Sequence, residues 1–262
     1  MNLLQIVLNF FSIYRLYEKW LYMQIRHKEI PQHVAIILDG NRRWARKRNL
    51  PVHIGHIKGA EKLKELIKWC VELGVRYLTV FVFSTENFNR EEDEINEFIK
   101  LMRKKLDECL NDENLMRYSI RIKFIGDVQR LPEDIREKIH LLEDKTKSNT
   151  RLVVNVALAY GGKWDILTAT KIIATLVKEG KLNVEDISYE TFQKFLATSH
   201  LPKPDVDLLL RTGGEYRISN FLLWQCAYAE LVFMDIMWPD FRKIDFMRAI
   251  RLYQKRNRRF GR

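Results

Sequence analysis

Three apolar runs in this chain each stop abruptly at a cluster of polar residues, and that pattern restricts the fold more than any other feature. Val34 to Leu38 runs into Asp39-Gly40-Asn41-Arg42-Arg43-Trp44, and Tyr77 to Phe83 into Ser84-Thr85-Glu86-Asn87. Val206 to Leu210, interrupted by Asp207, runs into Arg211-Thr212-Gly213-Gly214-Glu215. Runs rich in Val, Ile, Leu and Phe without clear alternation suit strands buried on both faces, as in a parallel sheet covered by helices. If the three are parallel, their polar clusters share one edge. In open parallel sheets that edge, outside the carboxyl ends of the strands, is where ligands bind.

The rest of the chain fits this scheme. Candidate strands at 34–38, 77–83, 120–125, 152–159, 206–210 and 230–234 alternate with amphipathic helices. The clearest helix is 91–110, where Ile95, Phe98, Ile99, Met102, Leu106, Cys109 and Leu110 form one stripe. Glu91, Glu92, Asp93 and Glu94 fall in its first turn, where negative charge complements the helix dipole; we read them as helix-start charge rather than a metal cluster. The alternation predicts an α/β fold, a single domain with a mostly parallel six-stranded central sheet flanked by helices. A chain of 262 residues, 47% hydrophobic and with no long Pro/Gly/Ser-rich linker, can bury one sizeable core. That catalytic unit is assigned to residues 29–262, preceded by an N-terminal helical extension over 1–28.

In the extension, Leu3, Ile6, Val7, Phe10, Tyr14, Tyr17 and Leu21 recur at helical spacing. The uncharged run is shorter than the roughly 18 to 20 residues a membrane span needs, and no signal-peptide flanks accompany it. Two readings stay open: a helix packed on its own domain or a dimer partner, and a helix lying in the plane of a membrane surface. Three cysteines, an odd number without metal-ligand spacing, point to a reducing, cytoplasmic compartment, with the cytoplasmic membrane face as an extension of it. The net charge of +11 calls for anionic partners, whether nucleic acid, anionic lipid or phosphorylated small molecules.

Several common chemistries are absent. There is no Gly-x-x-x-x-Gly-Lys-Ser/Thr, no Gly-x-Gly-x-x-Gly and no Asp-Asp pair, and His53 and His56 have no evident third metal ligand. What remains is arginine, glycine and isolated carboxylates at strand ends. Arginine forks bind diphosphate bidentately, and amides freed at Gly161-Gly162 and Gly213-Gly214 are candidates to approach phosphate. Magnesium takes one or two protein carboxylates and fills its shell with phosphate and water, so Asp39 alone suffices.

These residues carry a resemblance. His33 to Trp44, Gly55-His56, Phe83 to Arg90, Tyr160-Gly161-Gly162 and Arg211 to Gln225 resemble, in order, the motifs of the cis-prenyltransferases, the undecaprenyl and dehydrodolichyl diphosphate synthase family. Arg42 and the N-terminal extension lean toward an archaeal-type, homodimeric member. The resemblance implies condensation of isopentenyl diphosphate onto an allylic diphosphate primer, farnesyl or geranylgeranyl diphosphate. The product is a long polycis-polyprenyl diphosphate, precursor of a glycosyl carrier lipid. Carried over by position, Asp39 and Asn87 are the catalytic candidates. Gly40, Asn41, Arg42, Arg43, Trp44, His56, Ser84 and Arg90 would hold the allylic diphosphate. Arg211, Arg217, Ser219, Arg259 and Gly261 would hold isopentenyl diphosphate, with Arg259 and Gly261 reaching across the dimer. Asp39 and Glu230 would hold Mg2+. One departure is Val52, where family members commonly carry arginine; His53 and Arg48 are the nearby replacements. The helix 91–110 facing 57–73 is the expected wall of an apolar slot for the growing chain.

Two rival classes explain less. A basic tail (Arg251, Lys255, Arg256, Arg258, Arg259, Arg262) on a helix at 242–257 suits nucleic acid but leaves Asp39 and Arg211 without a role, so no nucleic-acid partner is expected. A silent subunit of a two-protein synthase would lack Asp39 or the Arg211 motif, and this chain has both.

Overall fold

A computed structural model describes residues 3–256, with side chains from Ile13 onward. Six strands, β1 His33–Ile37, β2 Tyr77–Ser84, β3 Ile120–Ile125, β4 Leu152–Tyr160, β5 Leu208–Arg211 and β6 Glu230–Phe233, form one sheet in the order β3-β4-β2-β1-β5-β6. Every neighbouring pair is parallel. The helices are α1 Leu3–Ile25, α2 Asn41–Arg46, α3 Val52–Leu73, α4 Glu92–Leu110, α5 Asn114–Arg117, α6 Glu133–Thr146, α7 Gly162–Lys178, α8 Tyr189–Gln193 and α9 Lys243–Lys255. The strands expected from sequence are all present, within two residues at their ends.

Burial explains why the runs read as continuous. β1 and β5 are buried along their whole length, while β3, at the edge, exposes part of Arg121 and Lys123. Charge on an edge strand discourages pairing with another chain. On one sheet face Val34, Ile36, Val80, Val154 and Leu210 join α3, α4, α6 and α9 in a core; on the other, Ala35, Ile37 and Leu209 pack against Phe221, Leu222 and Trp164 of α7. From Tyr14 onward α1 packs in the first core. Leu21 and Ile25 are fully buried, Glu18 pairs with Lys243 at 3.0 Å, and Arg248 donates to the Tyr17 hydroxyl at 3.1 Å. Leu3, Ile6, Val7 and Phe10 lie outside the described side chains. Among the described residues, no helix is long and apolar enough to cross a membrane.

Two local features aim residues at the carboxyl edge. A register shift in β2 between Phe81 and Phe83 puts these two rings on opposite faces: Phe81 stacks on Phe221 at 4.4 Å and Phe83 on Phe98 at 4.4 Å. In an unbulged strand residues two apart share a face. Gly40, at φ 107°, turns the chain from β1 into α2 in a conformation that favours glycine, and a Cβ there would stand 3.0 Å from Met237.

Candidate active site

The strand order reverses direction at β1, which lies between β2 and β5. That switch point opens a crevice at the carboxyl edge, and Asp39 and Arg211 face each other across it. Arg211 is 5% exposed; its Nη2 donates to Asp39 Oδ2 at 2.9 Å and its Nη1 to Ser219 Oγ at 2.7 Å. Arg43 holds the other Asp39 oxygen at 3.1 Å and reaches Glu215 at 3.2 Å, while Arg217 pairs with Glu215 at 2.6 Å. The Asp39 carbonyl is fixed by the Thr212 hydroxyl at 2.8 Å and the Trp238 amide at 3.0 Å. The expected residues Asp39, Arg43, Arg211, Arg217 and Ser219 are thus one network.

A second group lies beside it. Glu94 of α4 takes Arg90 at 2.8 Å, Arg42 at 3.4 Å and His56 at 3.9 Å. Burial first, and the Arg90 guanidinium second, hold His56 below the ordinary histidine value, so the ring is neutral at pH 7. Ser84 and Asn87 cap the turn after β2, the Ser84 amide donating to Asn87 Oδ1 at 3.1 Å. The two groups line adjoining cavities of about 500 and 430 Å³, which share Asp39, Asn41, His56, Arg90 and Arg211. Four buried polar atoms here, Asn41 Oδ1, Arg42 Nε, His56 Nε2 and Arg211 Nε, have no hydrogen-bond partner in the protein. Buried polar groups are rarely left so, and three are on basic side chains. Trp44 is the first residue of α2 whose amide closes a helical bond, to Gly40 O at 2.8 Å, so the amides of residues 41–43 are those a helix start leaves free.

The polar cavity runs into an apolar one. A pocket of about 180 Å³ shares Leu38, Asn41, His56, Val82 and Phe98 with it and continues between Gly59, Leu63 and Ile67 of α3 and Leu101, Met102 and Cys109 of α4. Its floor is Phe124 and Val156 of the sheet. This is the wall expected from 91–110 facing 57–73.

Four expectations are corrected. Trp44 points away from the site: its indole donates to Asp240 at 2.7 Å and Arg48 stacks over it at 4.3 Å, so it ties α2 to the loop at Trp238–Asp240. Arg48 is spent on the same Asp240, at 3.1 Å, and does not replace the arginine missing at Val52; Arg46 lines the polar cavity instead, and His53 a neighbouring one. The Gly213 and Gly214 amides are consumed by Ile236 and Met234 carbonyls, and that of Gly162 by Asn220, so these glycines do not offer phosphate donors. A Cβ on Gly162 would strike Leu223 at 2.6 Å, so close packing requires glycine there. Glu230 opens β6 opposite Leu208, at the amino edge, and pairs with Arg256 at 2.8 Å. Three residues at about 3.3 Å each separate it from the level of Arg211, so within one chain it does not join Asp39. Arg259 and Gly261 lie outside the described residues.

The sequence reading missed three residues. Glu94 was signalled by its i, i+4 spacing to Arg90. Glu215 lay inside the Arg211 motif. Asn220, also inside that motif, accepts the Gly162 and Lys163 amides and donates to Glu86 at 2.8 Å, joining the loop after β5 to the turn after β2.

Comparison with known proteins bears on the identity of this edge. The family described as "Putative undecaprenyl diphosphate synthase" matches residues 37–261. The chain belongs to this family, the cis-prenyltransferases. Among relatives, the tritrans,polycis-undecaprenyl-diphosphate synthase (geranylgeranyl-diphosphate specific) of Pyrococcus horikoshii is 48% identical, over 95% of this chain and 94% of its own. The protein of that name from Methanocaldococcus jannaschii is 46% identical, over 95% and 89%. Among solved structures, lavandulyl diphosphate synthase from Lavandula x intermedia in complex with dimethylallyl diphosphate superposes with a TM-score of 0.86 at 36% identity, over 89% of this chain and 99% of that one. A probable undecaprenyl diphosphate synthase from Campylobacter jejuni gives 0.73 at 38%, over the same shares. As a cis-prenyltransferase the chain is a transferase that makes polyprenyl diphosphates, and the rival nucleic-acid reading falls away.

The donor set fits the magnesium expected of such an enzyme. Asp39 lines the cavity beside arginines suited to phosphate, and among the described residues no group of three or more His, Cys, Asp or Glu forms an all-protein cage. One carboxylate completed by substrate phosphate is the usual magnesium arrangement.

Proposed function

We propose that this chain condenses isopentenyl diphosphate onto geranylgeranyl diphosphate to build an undecaprenyl-length polycis product for glycosyl carrier lipid, working as a magnesium-dependent homodimer that touches a membrane surface. The observation that carries this is the continuity of the cationic crevice with the apolar cavity between α3 and α4. Two anionic heads and one hydrocarbon tail need that combination. The geranylgeranyl diphosphate specificity in the names of the archaeal relatives supports that primer over farnesyl diphosphate.

In this reading the amides of 41–43 with Arg42, Arg90 and His56 hold the allylic diphosphate, and Arg211, Arg217 and Ser219 hold isopentenyl diphosphate. Magnesium, held by Asp39 and the phosphates, would neutralise diphosphate charge. When the allylic C–O bond breaks, negative charge grows on the departing pyrophosphate while a new carbon–carbon bond forms and a proton leaves isopentenyl diphosphate. Fixed guanidiniums aimed at that charge lower the barrier more than they stabilise the ground state. The Arg259-x-Gly261 segment would complete the isopentenyl diphosphate site, and Glu230 the metal site, only from a second chain.

The test uses Asp39→Asn, which leaves an oxygen for the buried Arg211. Turnover should fall by at least about 10²- to 10³-fold, with the melting temperature within a few degrees of the parent. Near-parental incorporation of labelled isopentenyl diphosphate would overturn the assignment. Separate reactions with farnesyl and geranylgeranyl diphosphate, with products sized by chromatography, settle primer and length.

A further inference from the structure

The outer surface of α1 is left unexplained by its packing. Leu21 and Ile25 face the core, yet Ile13, Leu16, Trp20 and Met23 are 65%, 67%, 43% and 48% exposed. Spaced three, four and three residues apart, they fall within about 80° of one another around the helix. Arg15, Lys19 and Arg26, all exposed, fall within about 40°, centred about 100° away from the apolar stripe. The Trp20 ring is held rather than loose, stacked on Tyr17 at 5.5 Å with the Arg251 guanidinium 5.4 Å from its centre.

We infer that this face of α1 docks flat on an anionic lipid bilayer, the apolar stripe entering the headgroup boundary and the basic stripe meeting lipid phosphates. This deepens the proposed function and rests on it for its purpose, delivery of an insoluble polyprenyl product. An apolar band with a basic flank matches a surface that offers hydrocarbon and phosphate side by side. Duplex nucleic acid offers no hydrocarbon for Ile13 and Leu16. A second copy would present the same basic flank, and Glu18, an acid on this helix, is already held by Lys243.

The experiment is sedimentation of the full-length chain with vesicles of phosphatidylcholine alone or with one third phosphatidylglycerol. The chain should bind the anionic vesicles, and high salt should weaken binding. Arg15→Glu, Lys19→Glu and Arg26→Glu should each lower the partition coefficient about five-fold or more, and Leu16→Glu with Trp20→Glu should abolish binding. None of these residues lines the polar or apolar cavities, so turnover of all variants in detergent should match the parent; that readout separates failure of the docking inference from failure of the proposed activity. Equal binding by parent and variants, no binding by the parent, or no preference for anionic vesicles would overturn the inference. So would a fall in oligomeric mass of the Leu16→Glu, Trp20→Glu variant, which would assign the face to a second copy.

Discussion

Glu94 holds two guanidiniums that the proposed site assigns to the allylic diphosphate. With Arg42, Arg90 and His56 around it, it holds the side chains that the proposed complex gives to diphosphate. The pair with Arg90 is partly buried, and a charge-assisted hydrogen bond of this kind is worth about 1.5–3 kcal/mol. That cost falls on primer binding. Glu94→Gln should therefore lower the KM for the allylic primer several-fold with kcat little changed, measured by initial rates against primer; an unchanged KM would show that Glu94 does not compete. The sequence displayed Glu94 as one of four acids at a helix start, set apart by its i, i+4 spacing to Arg90. Its own helix would have been served by any of them, and the approach of α3 and α2 selects it.

At the scale of elements, α4 joins the charged site to the apolar cavity. A dry cavity of about 150 Å³ takes one benzene, so the 180 Å³ seen here admits little more than one five-carbon unit. A long chain needs more room than this, which a shift of α4 relative to α3 would supply. Release of Glu94 by the arriving diphosphate would loosen the first turn of α4 at that moment. Filling the cavity should then shorten the product: Cys109→Phe, on the α4 lining, should shift the ladder to shorter chains, and an unchanged distribution would place the tail elsewhere. α3 has its own constraint. A Cβ at Gly55 would meet the Asn41 carbonyl at 2.2 Å, and one at Gly59 the Asn41 amide oxygen at 2.4 Å. Gly59→Ala should displace the start of α2 and raise primer KM, with the far-UV spectrum unchanged; a parental KM would separate that notch from binding. The stripe 91–110 was legible as a helix because its period is local. Its partner and the space between them depend on how α3 crosses the sheet.

For the whole molecule, a buried polar chain crosses three strands. The His33 ring lies between the Pro204 carbonyl, at 3.0 Å, and the Thr79 hydroxyl, at 2.8 Å; Asn155 donates to Thr79 and its oxygen meets His200. Burial pushes His33 down to about 4 against the opposing pull of Asp207, and burial with Lys123 and Arg121 does the same for His200. Between about pH 6.5 and 4 the unfolded chain binds more protons than the folded one, so stability is lost as pH falls through that window. From pH 7 to 5 the loss is on the order of 2 kcal/mol for His33. His33→Gln should narrow the gap between melting temperatures at pH 7 and pH 5; an unaltered gap would assign the acid sensitivity elsewhere. Product release also belongs to this scale. Each five-carbon unit is worth about 4 kcal/mol when buried, and binding saturates near roughly 20 kcal/mol, so a product of ten units cannot lie wholly inside. Turnover should rise with detergent or vesicles, and a rate insensitive to both would count against release as the slow step.

The amino-acid sequence by itself determined the six strands, their alternation with helices, the single edge on which Asp39, Asn87 and Arg211 fall, and the family. These follow from local period and from contiguous motifs, because a strand buried on both faces and a turn that leaves it are written in consecutive residues. The tertiary structure alone decided which charges pair and which side chains reach the crevice. The turn of Trp44 toward Asp240, the seat of Glu94 between two guanidiniums and a histidine, the β2 bulge that splits Phe81 from Phe83 and the separation of Glu230 from Asp39 arise from register and helix crossing. Those are set by contacts between residues far apart in the chain, and no short stretch of sequence records them.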